Sequence, residues 1–398
     1  MGARFLSRIA LSLIIGCFVL VSTTAPQARR HKPFKIERLV NQITSFQDQL
    51  VSGNRRALKK YREALADVSR KIASAPVSVW EREQNRTAGI KYLLAGGHAA
   101  IGQRMMEGYK FEGNEAQLLQ GAIAFADGDR AVALKLLKPI DALVAPPSLA
   151  GNLALIQGIL SIRKTPKQAA QYLKSVLILA PFSLQAEAAL RRLVRIPLIS
   201  GSWDELNRLG ARYLQRYPQS LFADSFRKPF AQALAVFKDY DTKQDRRERL
   251  LELLRRVDDQ HRRAYVYAIA RAGLVVGNIA LANTALEADS QGASADKERD
   301  MALQLYKAIT LLLAGKLEPA ARRLQGVNPA VLRADDVRLL RTANMLDRAI
   351  RKRPAFSEPT DQLRKLAAAA RDGHEFTPMT LAQSARSMIA STDKLLEK

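Results

Sequence analysis

The stretch from Ala264 to Ala288, AYVYAIARAGLVVGNIALANTALEA, decides the fold. Apolar side chains recur every three or four residues on both sides of Gly277-Asn278, the period of helices that each bury one face. Two polar or glycine residues suffice to reverse the chain. The spacing therefore predicts an antiparallel hairpin of Ala264–Val276 with Ala280–Ala288. Similar breaks fall at Gly97, Gly128, Thr165, Gly201, Asp239 and Gly315, so that, with Gly277, successive breaks lie 31 and then 36 to 38 residues apart. A hairpin cannot bury its apolar face alone, and a fixed repeat of this length is the mark of hairpins that stack.

The same grammar runs outward from this stretch. Leu39, Ile43, Phe46 and Leu50, then Leu58, Tyr61, Leu65, Val68 and Ile72 beyond Ser52-Gly53-Asn54, form two helical stripes. Gln117–Ala126 meets Arg130–Lys138 across Asp127-Gly128-Asp129, and Asn152–Ile162 meets Lys167–Leu179 across Thr165-Pro166. Ser202 is placed to cap a helix starting at Trp203. No stretch alternates as a strand would. The small residue early in each second helix, Ala131, Ala169, Ala280 and Ala320, is similar to the tetratricopeptide pattern, though the aromatic signature positions are missing. The expected fold is all-α, a right-handed α-solenoid of stacked antiparallel helical hairpins, TPR-like and divergent, over residues 34–353. Beyond it, Pro354, Pro359 and Pro378 separate short helical segments, so residues 354–398 are expected to form a C-terminal helical cap or a partly mobile tail.

Arg4 and Arg8 precede an apolar run from Ile9 to Val21, and no acidic residue occurs before Glu37. The run is shorter than the roughly 20 residues of a membrane-spanning helix and suits a secretory signal. Residues 1–24 are expected to be a signal peptide and 25–33 a linker, which implies an exported body. A retained anchor, or acylation at Cys17, is the alternative. Cys17 is the one cysteine of the chain, so no disulfide supports an exported body.

The formal net charge is +25, of which Arg4, Arg8, Arg29 and Arg30 carry four, leaving +21 for that body. Such a field attracts acidic proteins, anionic lipids and wall polymers, so peripheral contact with membrane or cell wall is compatible with it. Nucleic acid is disfavoured as a partner, by the export signal and because the basic clusters at Arg246–Arg249, Arg255-Arg256, Arg262-Arg263 and Arg348–Arg353 have no interleaved aromatic platforms. The four histidines are scattered, Asp127-Gly128-Asp129 is too short for a calcium loop, and neither Gly315-Lys316 nor Gly96-Gly97-His98 makes a phosphate loop. No metal, cofactor or catalytic site is expected, and the chain is expected to be a monomer. Arg191 and Arg195, four apart, are expected to share an exposed helix face, and they are the candidate partner-binding residues.

Several segments resemble the periplasmic MotC family of flagellated alphaproteobacteria. They are LVNQITSFQDQLVSG from Leu39 to Gly53, Val79-Trp80 with Asn85, AGIKYLLAGGH from Ala88 to His98, LAPFSLQAEAALRR from Leu179 to Arg192, and SLFADSFRKPF from Ser220 to Phe230. Phe182-Ser183 departs from the family, where a small residue and a threonine are expected. The resemblance implies a non-enzymatic partner of the periplasmic region of the stator subunit MotB, needed for flagellar rotation, motility and chemotaxis. The competing class is a cell-envelope assembly factor or lytic enzyme acting on peptidoglycan. A lytic enzyme needs a carboxylic acid in a cleft, whereas Glu63 and Glu187 fall in regular helices.

Overall fold

A computed structural model describes residues 34–196, 201–237, 244–289 and 296–352. The expected signal peptide, linker and C-terminal segment, and the break at Asp239, lie outside these residues. The described chain is all-helical. Its α-helices are α1 (Ile36–Val51), α2 (Arg56–Ala73), α3 (Glu83–Leu94), α4 (Ala100–Gly108), α5 (Gly113–Ala126), α6 (Arg130–Leu137), α7 (Pro147–Ser161), α8 (Pro166–Leu179), α9 (Leu184–Leu193), α10 (Trp203–Arg216), α11 (Ala223–Ala235), α12 (Gln244–Arg255), α13 (Asp259–Val276), α14 (Ile279–Glu287), α15 (Lys297–Leu313), α16 (Leu317–Gln325) and α17 (Ala334–Arg351). They fall into two compact units. One is built from the chain up to Phe46 with Lys59–Leu153, the other from Gln47–Leu58 with the chain from Ala154 onward.

In the first unit a 3-10 turn at Val77–Glu81 inserts Trp80 fully into the core. A side chain at Gly89 would meet Met105 and Trp80 at under 3 Å, so glycine is what lets α3 approach α4 there. Asn85 is buried: its Oδ1 accepts from the Ile36 amide at 2.9 Å and its Nδ2 donates to the Val79 carbonyl at 2.8 Å. Asn85 thereby ties α1 to α3. The first apolar stripe is rotated by one position from the sequence expectation. Ile36, Val40, Ile43, Gln47 and Leu50 are buried, Leu39 and Phe46 are half-buried, and Leu58 is exposed.

In the second unit consecutive helices pair and each hairpin packs on the next: α13 with α14, α15 with α16, and α13 and α14 both against α15. The C-cap of α13 is Gly277 at φ +75°, and Asn278 caps α14 by accepting from the Leu281 amide at 3.1 Å. Gly-Asn was therefore the correct place to break this hairpin. Ser202 accepts from the Glu205 amide and caps α10 as expected, whereas Thr165 makes no side-chain cap and Pro166 opens α8. Of the four small residues, Ala169 and Ala320 are buried at helix contacts, Ala280 is half-buried and Ala131 is exposed. The close approach of α5 to α6 comes instead from Gly121, where a Cβ would sit 2.5 Å from Leu137.

A candidate partner-binding groove

The second unit carries an open groove of about 410 Å³ between α11 and α13 that reaches the starts of α15 and α17. Its floor follows from sequence spacing. Ala264, Ala268 and Ala272 lie four apart on α13, so three methyl groups line up on one face and leave a furrow where larger side chains would close it. Val275 and Val276 extend the apolar surface at one end, and both are exposed.

The walls are charged and largely self-paired. Arg271 binds Asp335 at 3.0 Å and Asp336 at 3.2 Å, Arg299 binds Asp296 at 2.9 Å, Arg227 pairs with Asp224, and Arg333 pairs with Glu298. Lys228 lines the groove with no carboxylate partner among the described residues. An approaching chain would meet an apolar strip flanked by fixed donors and acceptors.

Asp336 anchors this arrangement. It is only 1 % exposed and accepts hydrogen bonds from the Tyr306 hydroxyl at 2.6 Å, the Tyr267 hydroxyl at 3.0 Å and Arg271 Nε at 3.2 Å. Burial pushes both phenols above the usual tyrosine range. The carboxylate lies in the first turn of α17, where the helix dipole favours negative charge. Two comparable knots lie elsewhere in the unit. Glu187 is fully buried and accepts from Tyr213 at 2.7 Å and Ser220 at 2.5 Å. Asp289 accepts from Arg263 at 3.0 Å and Lys307 at 2.7 Å. Asp336 and Asp289 were not picked out from the sequence, and Glu187 was noted there only as part of a regular helix. The Asp335-Asp336 pair opening an apolar periodic segment was the available signal, and it marks a helix start without revealing burial.

The structure separates Arg191 from Arg195. Arg191 lies in the last turn of α9, is 19 % exposed in its side chain, approaches Glu187 at 3.7 Å and lies over the Phe222 ring at 4.9 Å. Arg195 is exposed but follows the end of α9. The two do not form one cationic helix face, because the fully buried Glu187 draws the first inward. The other arginine clusters are similarly divided among ion pairs, as with Arg249 to Asp204 and Asp245, Arg263 to Asp289 and Asp300, and Arg351 to Glu318.

The chain matches the family described as Chemotaxis protein MotC over residues 2–398. It belongs to the MotC family. It is also 24% identical over 358 residues to the Chemotaxis protein MotC of Rhizobium meliloti (strain 1021), covering 89% of this chain and 81% of that protein. No solved structure matches it. Residues in the MotC-like segments serve largely as packing elements. Gly53, at φ +88°, lies where a Cβ would be 2.6 Å from the Gln219 carbonyl oxygen, Trp80 fills a core, and Glu187 in AEAALRR is the buried acceptor of Tyr213. Membership in this family places the chain among chemotaxis and motility proteins. Among the described residues no cluster of His, Cys, Asp and Glu could hold a metal, and no helix is long and apolar enough to cross a membrane.

Proposed function

We propose that this protein is a periplasmic, non-enzymatic scaffold that binds the exported part of the stator subunit MotB and is needed for flagellar rotation. The family match over residues 2–398 carries the reading. The apolar run Ile9–Val21 behind Arg4 and Arg8 supports export through a signal peptide. Hairpins that pack on their successors in the second unit support a divergent, TPR-like α-solenoid, an architecture that offers grooves to extended partners. The groove over Ala264, Ala268 and Ala272 is the proposed seat, since it combines an apolar floor with fixed charges of both signs.

Deletion of the gene should leave cells with assembled filaments that do not swim, and the purified exported region of MotB should be retained by the immobilised full chain. Ala268→Trp, which fills the furrow, should abolish retention while helicity is kept. A normally swimming deletion strain would overturn the functional reading; retention unaffected by Ala268→Trp would overturn the choice of groove.

A further inference from the structure

A surface of the second unit that shares no residue with the groove presents apolar groups together with cations that no carboxylate pairs among the described residues. The chain passes from α8 to α9 through Ala180, Pro181, Phe182 and Ser183. Phe182 takes φ +62°, and it is the one non-glycine residue in the left-handed region among the described residues. Ser183 fixes the geometry on the far side of the turn, donating to the Ala180 carbonyl at 2.6 Å and capping α9 by accepting from the Ala186 amide at 3.2 Å. Glycine is the residue such a turn favours, because a Cβ crowds the backbone there. Core burial does not account for the phenylalanine either, since it is 65 % exposed. Unusual backbone held in place by its surroundings, carrying an exposed aromatic ring, points to a contact outside the fold.

Ile178, in the last turn of α8, is 78 % exposed. Two arginines from α10 flank this segment. Arg212 donates to the Leu177 carbonyl at 2.6 Å, and the Arg216 guanidinium lies 4.2 Å from the centroid of the Phe182 ring. No carboxylate pairs with either of them among the described residues, although Arg208, one turn earlier on the same helix, pairs with Glu205. Burial and the neighbouring Arg216 hold the Arg212 guanidinium below its ordinary range, so two adjacent cations lack a compensating charge.

We propose that Ile178, Phe182, Arg212 and Arg216 form a second docking surface, whose occupant is an acidic, apolar segment of a partner protein. Apolar side chains of that segment would pack on Ile178 and the exposed edge of Phe182. Its carboxylates would pair with Arg212 and Arg216, whose planar forks suit bidentate contact. A second copy of this chain is the wrong occupant, because a twofold contact brings the same two arginines from each copy together on chains of net charge +25. A lipid surface is disfavoured because the stacked Arg216 covers one face of the ring and holds it against the protein, whereas membrane anchoring needs the ring to project into the interface.

The test replaces Phe182 with photo-reactive p-benzoylphenylalanine in the full chain, in motile cells of the native strain, and maps the adduct formed on irradiation. The expected result is a discrete adduct with an exported protein at a peptide containing carboxylates among apolar residues, its yield falling about tenfold when Arg216→Glu is added, as for loss of one charge-assisted contact. Such an adduct supports the surface whether the captured protein is MotB or another protein, so the outcome is separable from the preceding assignment. No adduct, an adduct to a second copy or to lipid, a peptide without acidic residues, or indifference to Arg216→Glu would each overturn the proposal. A second measurement guards against a purely structural ring. Phe182→Gly relieves the left-handed strain, so its melting temperature should equal or exceed that of the parent while swimming is impaired; a lower melting temperature with normal swimming assigns the ring to the fold and refutes the docking role.

Discussion

Removing the Asp336 carboxylate should be among the most destabilising single changes in the second unit. In Asp336→Ala the fully buried Tyr306 hydroxyl loses its acceptor, which at the rate for a bond to a charge-paired group costs about 2 kcal/mol. The half-buried Tyr267 regains water in part and contributes about 1 kcal/mol. Arg271 keeps Asp335 at 3.0 Å, so its share is about 0.5 kcal/mol. The total, about 3.5 kcal/mol, corresponds to a fall in melting temperature of roughly 10 °C for a body of this size. Asp335 is the built-in control: it neighbours Asp336 and also binds Arg271, but its side chain is 54 % exposed. Asp335→Ala should cost no more than about 0.5 kcal/mol. Thermal melts followed by far-ultraviolet circular dichroism on the parent and both variants decide the matter. If the two variants melt together, burial of Asp336 is not what makes it an anchor, and the reasoning fails.

Other expectations follow from single contacts. Gly273→Ala should destabilise by about 1–3 kcal/mol despite the higher helix propensity of alanine, because the new Cβ would stand 2.8 Å from the Asn278 carbonyl oxygen and 3.1 Å from the Ala282 amide; a raised denaturant midpoint would show that α14 can move away. Arg191→Glu should cost about 3 kcal/mol, since it sets a second carboxylate against the buried Glu187, whereas Arg195→Glu should be nearly neutral; equal melting temperatures for the two would contradict the inward placement of Arg191. In alkali, the fully buried Tyr213, Tyr265 and Tyr306 hold their protons above the unfolded tyrosine pKa of about 10, chiefly because burial disfavours the phenolate. The unfolded chain releases those protons, so stability is present below pH 10 and lost above it, at about 4 kcal/mol per pH unit for the three together. Tyrosinate absorbance should therefore rise with loss of helicity; ionisation of every tyrosine near pH 10 with helicity intact would refute this.

The helices were legible because their ends are written in residue chemistry. Gly128, Gly277 and Gly315 have φ of +84°, +75° and +74°, a conformation that glycine tolerates and that stops a helix, so a glycine between two apolar stripes could be taken at face value. Gly97 was the right place for a less direct reason. The left-handed turn is made by Gly96, while Gly97 is demanded by the Tyr92 ring, 2.2 Å from where its Cβ would be. The phase of α1 was not fully legible, because Ile36 and Val40 compete with Leu39 and Phe46 for the face that holds Ile43 and only the packed partner selects between them. Phe182 stood out in the sequence as a departure from the family. It stands out again in the backbone as a side chain where glycine would be easiest.

Charge was the least legible property, and the reason bears on function. A net charge of +25 suggests a surface crowded with available cations, but in the second unit many arginines are already engaged. Buried carboxylates join helices that are distant in sequence: Glu187 to Tyr213 across 26 residues, Asp289 to Arg263 across 26, Asp336 to Tyr306 across 30. Local sequence pattern assigns each of these acids to solvent, because the partners that bury it come from another helix. The excess charge therefore acts mainly at long range, drawing acidic partners toward the body. Short-range selection falls to cations that stand beside apolar surface, Lys228 in the groove and Arg212 with Arg216 beside Phe182. On this division of labour, salt should slow association throughout, whereas neutralising Arg216 should mainly hasten dissociation from its own surface and leave the groove unaffected.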